Sequence, residues 1–224
     1  MNKRSLKDLL YEQVARVGSA VASPKRLELL EVLAQGEKTV EQLAGELSID
    51  IKLASAHLKR LKAAHLVASR RSGKHVVYQL SGHDVALLWV QLRQVAEEHL
   101  LELHQALERM VANPDRLTPM AREQLLAQAR LGEIIVIDVR PKPEYDQAHL
   151  PCARSMPLSE LVSRLAELPR NREIVAYCRG PFCLMADEAL QILKSQGRRA
   201  RKLSDGVCEW QAAGLPLEST LVHS

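Results

Sequence analysis

The sequence predicts two units of different class: a helical unit carrying one β-hairpin, then an α/β unit built on a small, mostly parallel sheet flanked by helices. Three observations predict it. Apolar residues recur at helical spacing through the first half of the chain. Beyond residue 120, short β-branched runs alternate with helical patterns. All four cysteines stand in the second half, at 152, 178, 183 and 208, so thiol chemistry is confined to one part of the chain.

The helical unit is read in order. Apolar residues at 6, 9, 10, 14, 17 and 21 predict a helix over Leu6 to Val21. "SPKRLELLEVLAQGEK" offers Ser23 as N-cap, Pro24 at the first helical position and Gly36 as the stop. "TVEQLAGELS" opens on Thr39 and Gln42, a capping-box pair, and predicts a helix of about two turns. "DIKLASAHLKRLKAAHLV" follows with Asp50 as cap and Leu53, Leu58, Leu61 and Leu66 expected inward. "ASRRSGKHVVYQLS" reads as a hairpin turning at Ser72-Gly73-Lys74. A long helix is then expected from about Asp84 to Met110. Its apolar residues cover more than one stripe, which suits burial in its own core on one side and a partner on the other.

Asn113, Pro114 and Pro119 break that pattern and place the boundary, giving units of residues 1–112 and 118–224. Ile134 to Ile137 and Ile174 to Tyr177 read as buried strands. Residues 121–131, 158–168 and 184–196 read as helices, the last closed by Gly197.

The 224 residues are 46% hydrophobic and 26% charged, ordinary for a globular chain, and the 3% of aromatics leaves the core to Leu, Val, Ala and Ile. The first helix interrupts its apolar residues with Lys7, Asp8, Glu12 and Gln13, so it suits neither a secretory signal nor a membrane span. No other run reaches spanning length. Four cysteines without a signal point to the cytoplasm and to reactive thiols rather than a disulfide scaffold.

The net charge of +4 is unevenly spread: between Ile51 and His83 stand Lys52, Lys59, Arg60, Lys62, Arg70, Arg71 and Lys74, with no acid among them. A one-signed segment suits a phosphate-binding face. Two short helices, a turn, a basic hairpin and a flanking long helix make a winged helix-turn-helix, whose second short helix would enter the major groove. Ser55 and His57 are expected to reach base edges. Lys52, Lys59 and Arg60 are expected on phosphates, with Arg70, Arg71 and Lys74 of the wing on the neighbouring backbone.

The segments "SPKRLELLEVL", "TVEQLAGELSI", "ASAHLKRLKAAHLV" and "RRSGKHVVYQL" resemble the ArsR/SmtB family of dimeric bacterial repressors across roughly residues 10–105. The resemblance implies a homodimer formed through the first and last helices and a double-stranded, inverted-repeat operator. The chain departs from the family's metal-sensing sites. "ELSID" offers Ser48 and Asp50 where thiolates would stand, and His99 with Glu102, near His83, Asp84 and His104, lacks the full spacing of the other site. No metal or cofactor is therefore expected, and a metal-responsive repressor using His99 and Glu102 is the third reading.

In the second half, Cys178 ends a strand and a helix begins near Leu184, which puts a thiol at a helix start. Loop N–H groups, the helix dipole and Arg179 are expected to favour its thiolate, the attacking form. "IIVIDVRPKPEYDQAHLPCARSMPL", "IVAYCRGPFCLMADEALQILKSQG" and "LSDGVCEWQAAGLPLE" resemble a single rhodanese domain over about residues 118–220. The resemblance implies that Cys178, in a loop with Arg179, Gly180 and Cys183, takes up a sulfane sulfur from thiosulfate, polysulfide or a persulfide. It also implies a mainly structural role for Asp138, Arg140, Glu144, His149 and Trp210. Departures are Ala148 and Cys152, where glycines are usual, and Val207 after Gly206. A phosphatase loop would need an arginine where Leu184 stands. Cys183 is either a resolving thiol or a packed residue, Cys152 and Cys208 are expected to be structural, and Met156 and Met185 core. The expected function is a DNA-binding regulator whose Cys178 accepts sulfur or is oxidised and so modulates DNA binding. The alternative is a sulfurtransferase with an accessory DNA-binding module.

Overall fold

The N-terminal helices start where their caps stand. In the computed structural model, which describes residues 2–110 and 119–221, α1 (Lys3–Val21) follows Asn2, whose side chain accepts from the Ser5 N–H. α2 (Pro24–Leu33) follows Ser23 and begins on Pro24, although the Ser23 hydroxyl makes no cap bond. α3 (Val40–Glu46) carries the expected capping box: the Gln42 N–H donates to Thr39 Oγ1 at 3.2 Å and the Thr39 N–H to Gln42 Oε1 at 2.8 Å. Asp50 caps α4 (Ile51–Ala63) by accepting from the Lys52 N–H at 2.7 Å. β2 (Val67–Ser72) and β3 (His75–Leu80) pair antiparallel, with Gly73 at φ +59° in the turn; β1 (Lys38–Thr39) pairs on the other edge of β3.

One expected core position is corrected. Leu53 is 46% exposed, and Ala54 takes the buried place beside Leu58 and Leu61. Positions 54, 58 and 61 follow the i, i+4, i+7 stripe of a helix, and Leu53 falls about 100° off it. The core of this unit gathers Leu29, Leu30, Leu43, Leu58, Leu61, Tyr78 and Val85.

The long last helix is also corrected: it is two helices, α5 (His83–His99) and α6 (Leu101–Met110), interrupted at Leu100 with no proline or glycine there. The chain forms two compact units, Met1–Gln91 and Leu92–Ser224. The boundary expected at Asn113 and Pro114 lies outside the described residues.

The second unit continues with α7 (Pro119–Arg130), β4 (Ile134–Asp138), α8 (Lys142–Gln147), β5 (Arg154–Ser155), β6 (Glu173–Tyr177), α9 (Met185–Ser195), β7 (Ala200–Lys202) and α10 (Val207–Ala212). Its four strands are all parallel, in the order β5-β4-β6-β7. Alternation sorts the central strands between two apolar layers. Ile135, Ile137, Ile174, Ala176 and Cys178 pack with Ala186, Ala189 and Leu193 of α9. Ile134, Val136, Val175 and Tyr177 pack with Leu125, Val207 and Trp210. Gly197 closes α9 at φ +69°. The helix expected over 158–168 is instead a set of turns ending in a short 3₁₀ turn, Leu165–Glu167. There Arg198 takes the carbonyls of Leu168 (2.6 Å) and Leu165 (2.9 Å), and Pro169 follows. Among the described residues, no helix is long and apolar enough to cross a membrane.

Candidate functional site

β6 ends at Tyr177, and the loop Cys178 to Cys183 leads into α9 at the carboxyl edge of the parallel sheet, the edge where α/β folds place their ligands. Cys178 continues the parity of Ile174 and Ala176, so its side chain enters the apolar layer under α9 and is only 1% exposed. Its thiol faces the carbonyls of Cys183 at 3.5 Å and Gly180 at 3.9 Å. Cys183, one turn further on, is half-buried.

The surroundings act on the two thiols in opposite directions. Burial pushes the Cys178 thiol well above its ordinary value, and its hydrogen bond to the Cys183 sulfur pushes the same way. Cys183 is held down to about 6, first by accepting that hydrogen bond, then by the backbone N–H groups of Arg179 and Met185 and the charge of Arg179. The N–H groups near the helix start and Arg179 thus draw Cys183 toward thiolate, and the two thiols titrate as a pair.

The loop is held by charges that are themselves buried. Asp138, 0% exposed, pairs with Arg140 Nη2 at 2.6 Å and accepts from the Tyr177 hydroxyl at 2.6 Å. Burial opposes the charge on Arg140, yet Asp138 beside it keeps the guanidinium above its ordinary value. Arg140 also donates to the Ala148 carbonyl at 2.7 Å, fixing the segment after α8. Glu144 of α8 is buried and clamps Arg179 through two bonds, 3.0 and 2.5 Å, so this arginine is tethered beside the loop. Lys202 of β7 donates to the Cys183 carbonyl at 3.1 Å and to Asp187 at 2.5 Å. A Cβ on Gly206 would stand 2.8 Å from the Cys178 carbonyl oxygen, so the backbones of loop and α10 meet there. His149 stacks on Tyr145 at 3.7 Å, and Trp210 is fully buried.

Cys208 is a buried residue of α10, whereas Cys152 is exposed and sits at φ +64°. That left-handed backbone is the physical reason a glycine suits position 152. Met156 is core, and Met185 lies partly buried against the same layer.

In the first unit, α4 and the wing present their cations outward. Lys52, Lys59, Arg60, Arg70, Arg71 and Lys74 are exposed, and Ser55 and His57 are half-buried. Burial first, then the charges of Arg26 and Arg60, lowers the pKa of His57. Arg70 is ion-paired with Glu37, and Lys62 donates to Ser69 Oγ at 2.7 Å. Leu53 adds an exposed apolar group to this face. His99 and Glu102 join no cluster: among the described residues, no group of three or more His, Cys, Asp or Glu side chains is gathered.

Sequence reasoning missed Arg93, Lys202 and Glu209. Glu209 did have a local signal, because it closes a capping-box geometry onto the Gly206 N–H at 2.7 Å.

Residues 121–213 match the rhodanese-like domain, and residues 23–69 match the bacterial regulatory proteins of the arsR family. The HTH-type transcriptional regulator Rv0324 of Mycobacterium tuberculosis is 43% identical over 212 residues, spanning 95% of this chain and 93% of that protein. A sulfurtransferase of Allochromatium vinosum is 30% identical over 86 residues, 38% of this chain and 78% of that one. A solved winged helix-turn-helix DNA-binding domain from Mycobacterium bovis, described as homodimeric, is 43% identical. It covers 46% of this chain and 93% of that one, at a TM-score of 0.42. The chain belongs to the ArsR family of transcriptional regulators and carries a C-terminal rhodanese domain.

Proposed function

We propose that this regulator binds an inverted-repeat operator as a homodimer, and that its Cys178–Cys183 pair accepts sulfane sulfur and thereby changes operator affinity. One observation carries the reading: two thiols stand in one loop at the carboxyl edge of the parallel sheet, Cys178 sealed with its sulfur 3.5 Å from the Cys183 carbonyl and Cys183 half-buried. The Cys183 thiolate attacks the outer sulfur of a persulfide donor, R–S–SH; the donor's S–S bond breaks and R–SH departs after taking up a proton. Cys178 then attacks the Cys183 sulfur of the new persulfide, releasing hydrogen sulfide and closing a 178–183 disulfide. Both cysteines are oxidised, and the sulfane sulfur is reduced to sulfide.

The exposed cations of α4 and the wing support phosphate contact. The exposed Leu6, Leu9, Leu10, Tyr11 and Val14 of α1, and Leu88, Leu92 and Val95 of α5, support association through the first and last helices. The test is fluorescence anisotropy on a footprinted promoter fragment, with and without inorganic polysulfide, for wild type, Cys178→Ser and Cys183→Ser. Polysulfide is expected to weaken wild-type binding and to leave both variants unchanged. Equal affinity of the wild type in both states overturns the reading.

A second reading, a sulfurtransferase with an accessory DNA-binding unit, is favoured by the similarity to the Allochromatium enzyme. It requires thiocyanate formation from thiosulfate and cyanide, together with operator binding indifferent to the thiols.

A further inference from the structure

Within the second unit, the loop of the paired thiols is touched by a residue from outside the rhodanese match. Arg93 stands in α5 and is 3% exposed. Its Nη2 lies 2.7 Å from Glu209 Oε1, and Glu209 is 4% exposed. Its guanidinium lies 5.6 Å over the ring of Phe182, the residue directly before Cys183. Its Nη1 reaches Glu97 at 3.3 Å, one turn along α5, while its Nε is buried without a hydrogen-bond partner.

Glu209 carries the contact further into the loop. A Cβ on Gly180 would meet both of its carboxylate oxygens at 3.1 Å, and its Oε2 accepts the Gly206 N–H. One buried ion pair therefore rests on the loop at two points, Gly180 and Phe182, on either side of Pro181. A buried pair is costly to desolvate, and removing one partner leaves the other charge stranded. Burial already pushes the Glu209 carboxyl up, and Arg93 is what draws it back.

Cys178 is 1% exposed and belongs to the same buried cluster as Ala186, Ala189 and Leu193, and a close-packed interior answers a change at one member by shifting its neighbours. The near neighbours that can shift are Gly180, with its left-handed backbone at φ +147°, and Phe182. Both lie against the Arg93–Glu209 pair. At its other end α5 starts at His83, three residues after the wing strand β3 ends at Leu80.

We propose that Arg93 is the coupling residue of this regulator: disulfide closure between Cys178 and Cys183 moves Phe182 and Gly180 against the Arg93–Glu209 pair and so strains or frees α5. The proposal rests on the sulfur-responsive reading above and supplies its route.

The experiment uses the full chain and inorganic polysulfide. Intact-mass measurement reports the modification of the thiol pair, as persulfide gain or as the loss of two hydrogens on disulfide closure, and anisotropy reports operator affinity before and after. Wild type is expected to shift by roughly tenfold, within the usual range of coupling between two sites. Arg93→Gln undergoes the same mass change, yet its shift falls to about twofold or less. Arg93→Lys, which keeps the charge but loses the fork, falls between them. A wild-type shift in Arg93→Gln at equal mass change overturns the coupling role while leaving the sulfur reading intact. Should Arg93→Gln not fold, hydrogen exchange on the wild type decides: polysulfide is expected to speed exchange in α5 around residues 92–97, and unchanged exchange there sinks the proposal. If α5 responds while operator affinity does not, the coupling stands and the regulatory reading fails.

Discussion

Lys52, Lys59, Arg60, Arg71 and Lys74 of the first unit stand exposed, whereas Arg140, Arg198 and Lys202 of the second are sealed against carboxylates and carbonyls. The same residue types serve opposite ends. An exposed lysine contributes little to stability and keeps its charge available to a polyanion. A buried, paired arginine offers nothing to a ligand but holds backbone segments where packing alone would not. On α4 and the wing charge is a surface property, and around the β6–α9 loop it is scaffolding for two sulfurs.

The contrast is broken most severely at Asp138. Asp138→Asn removes the charge that Arg140 and the Tyr177 hydroxyl are turned toward, and is expected to cost about 3–5 kcal/mol of unfolding free energy in urea titration. Gly206→Ala comes next: its new methyl meets the Cys178 carbonyl, a backbone group that cannot rotate away. A loss of about 1–3 kcal/mol is expected by the same measurement.

Removing surface cations gives the opposite signature. The double variant Arg71→Ala, Lys74→Ala leaves stability within about 0.5 kcal/mol. It flattens the slope of log K against log salt by about 1 for each phosphate that the wing no longer neutralises. Anisotropy across a salt series reads it, and an unaltered slope would remove the wing from the DNA interface.

The thiol pair sharpens the comparison through pH. With Cys183 held down to about 6, its thiolate is populated above that pH, against about 9 for an ordinary cysteine. Alkylation of Cys183 is therefore expected to rise through pH 6 and level off by neutrality. In Cys178→Ala, which deletes the hydrogen-bond donor, the midpoint climbs toward the ordinary value. A wild-type midpoint above 8 would return the charge to neither sulfur. The smallest effect is Cys152→Gly, which relieves a left-handed backbone on an exposed turn and is expected to raise stability by at most about 1 kcal/mol.

Elements with local chemistry were legible from the residues. The Thr39/Gln42 box, the Asp50 cap, the Gly73 turn, the β-branched runs of β4 and β6, and Gly197 each act within a few positions, and each holds in the structure. Leu53 was misplaced because four leucines were read as one stripe, although only two are in phase with Ala54. Burial of Cys178 was readable by counting strand parity from Ile174 one step past Tyr177. The helix-start argument fixed attention on the nearer cysteine, while the N–H groups and the neighbouring thiol favour the farther one. Strands as short as β5 and β7 carry no periodicity of their own. The pairing of Arg93 with Glu209 spans more than half the chain, and no local pattern announces such a pair.

The sheet edges have a consequence for self-association. β5 is two residues long, β7 three, and β1 of the first unit two, so each sheet has an outer strand with almost no row of unpaired amides to offer a second chain. Strand-to-strand recruitment of another copy is thus poorly templated along those borders. Apolar residues on helix exteriors, by contrast, interlock by side-chain shape and can slide or re-pack by small amounts.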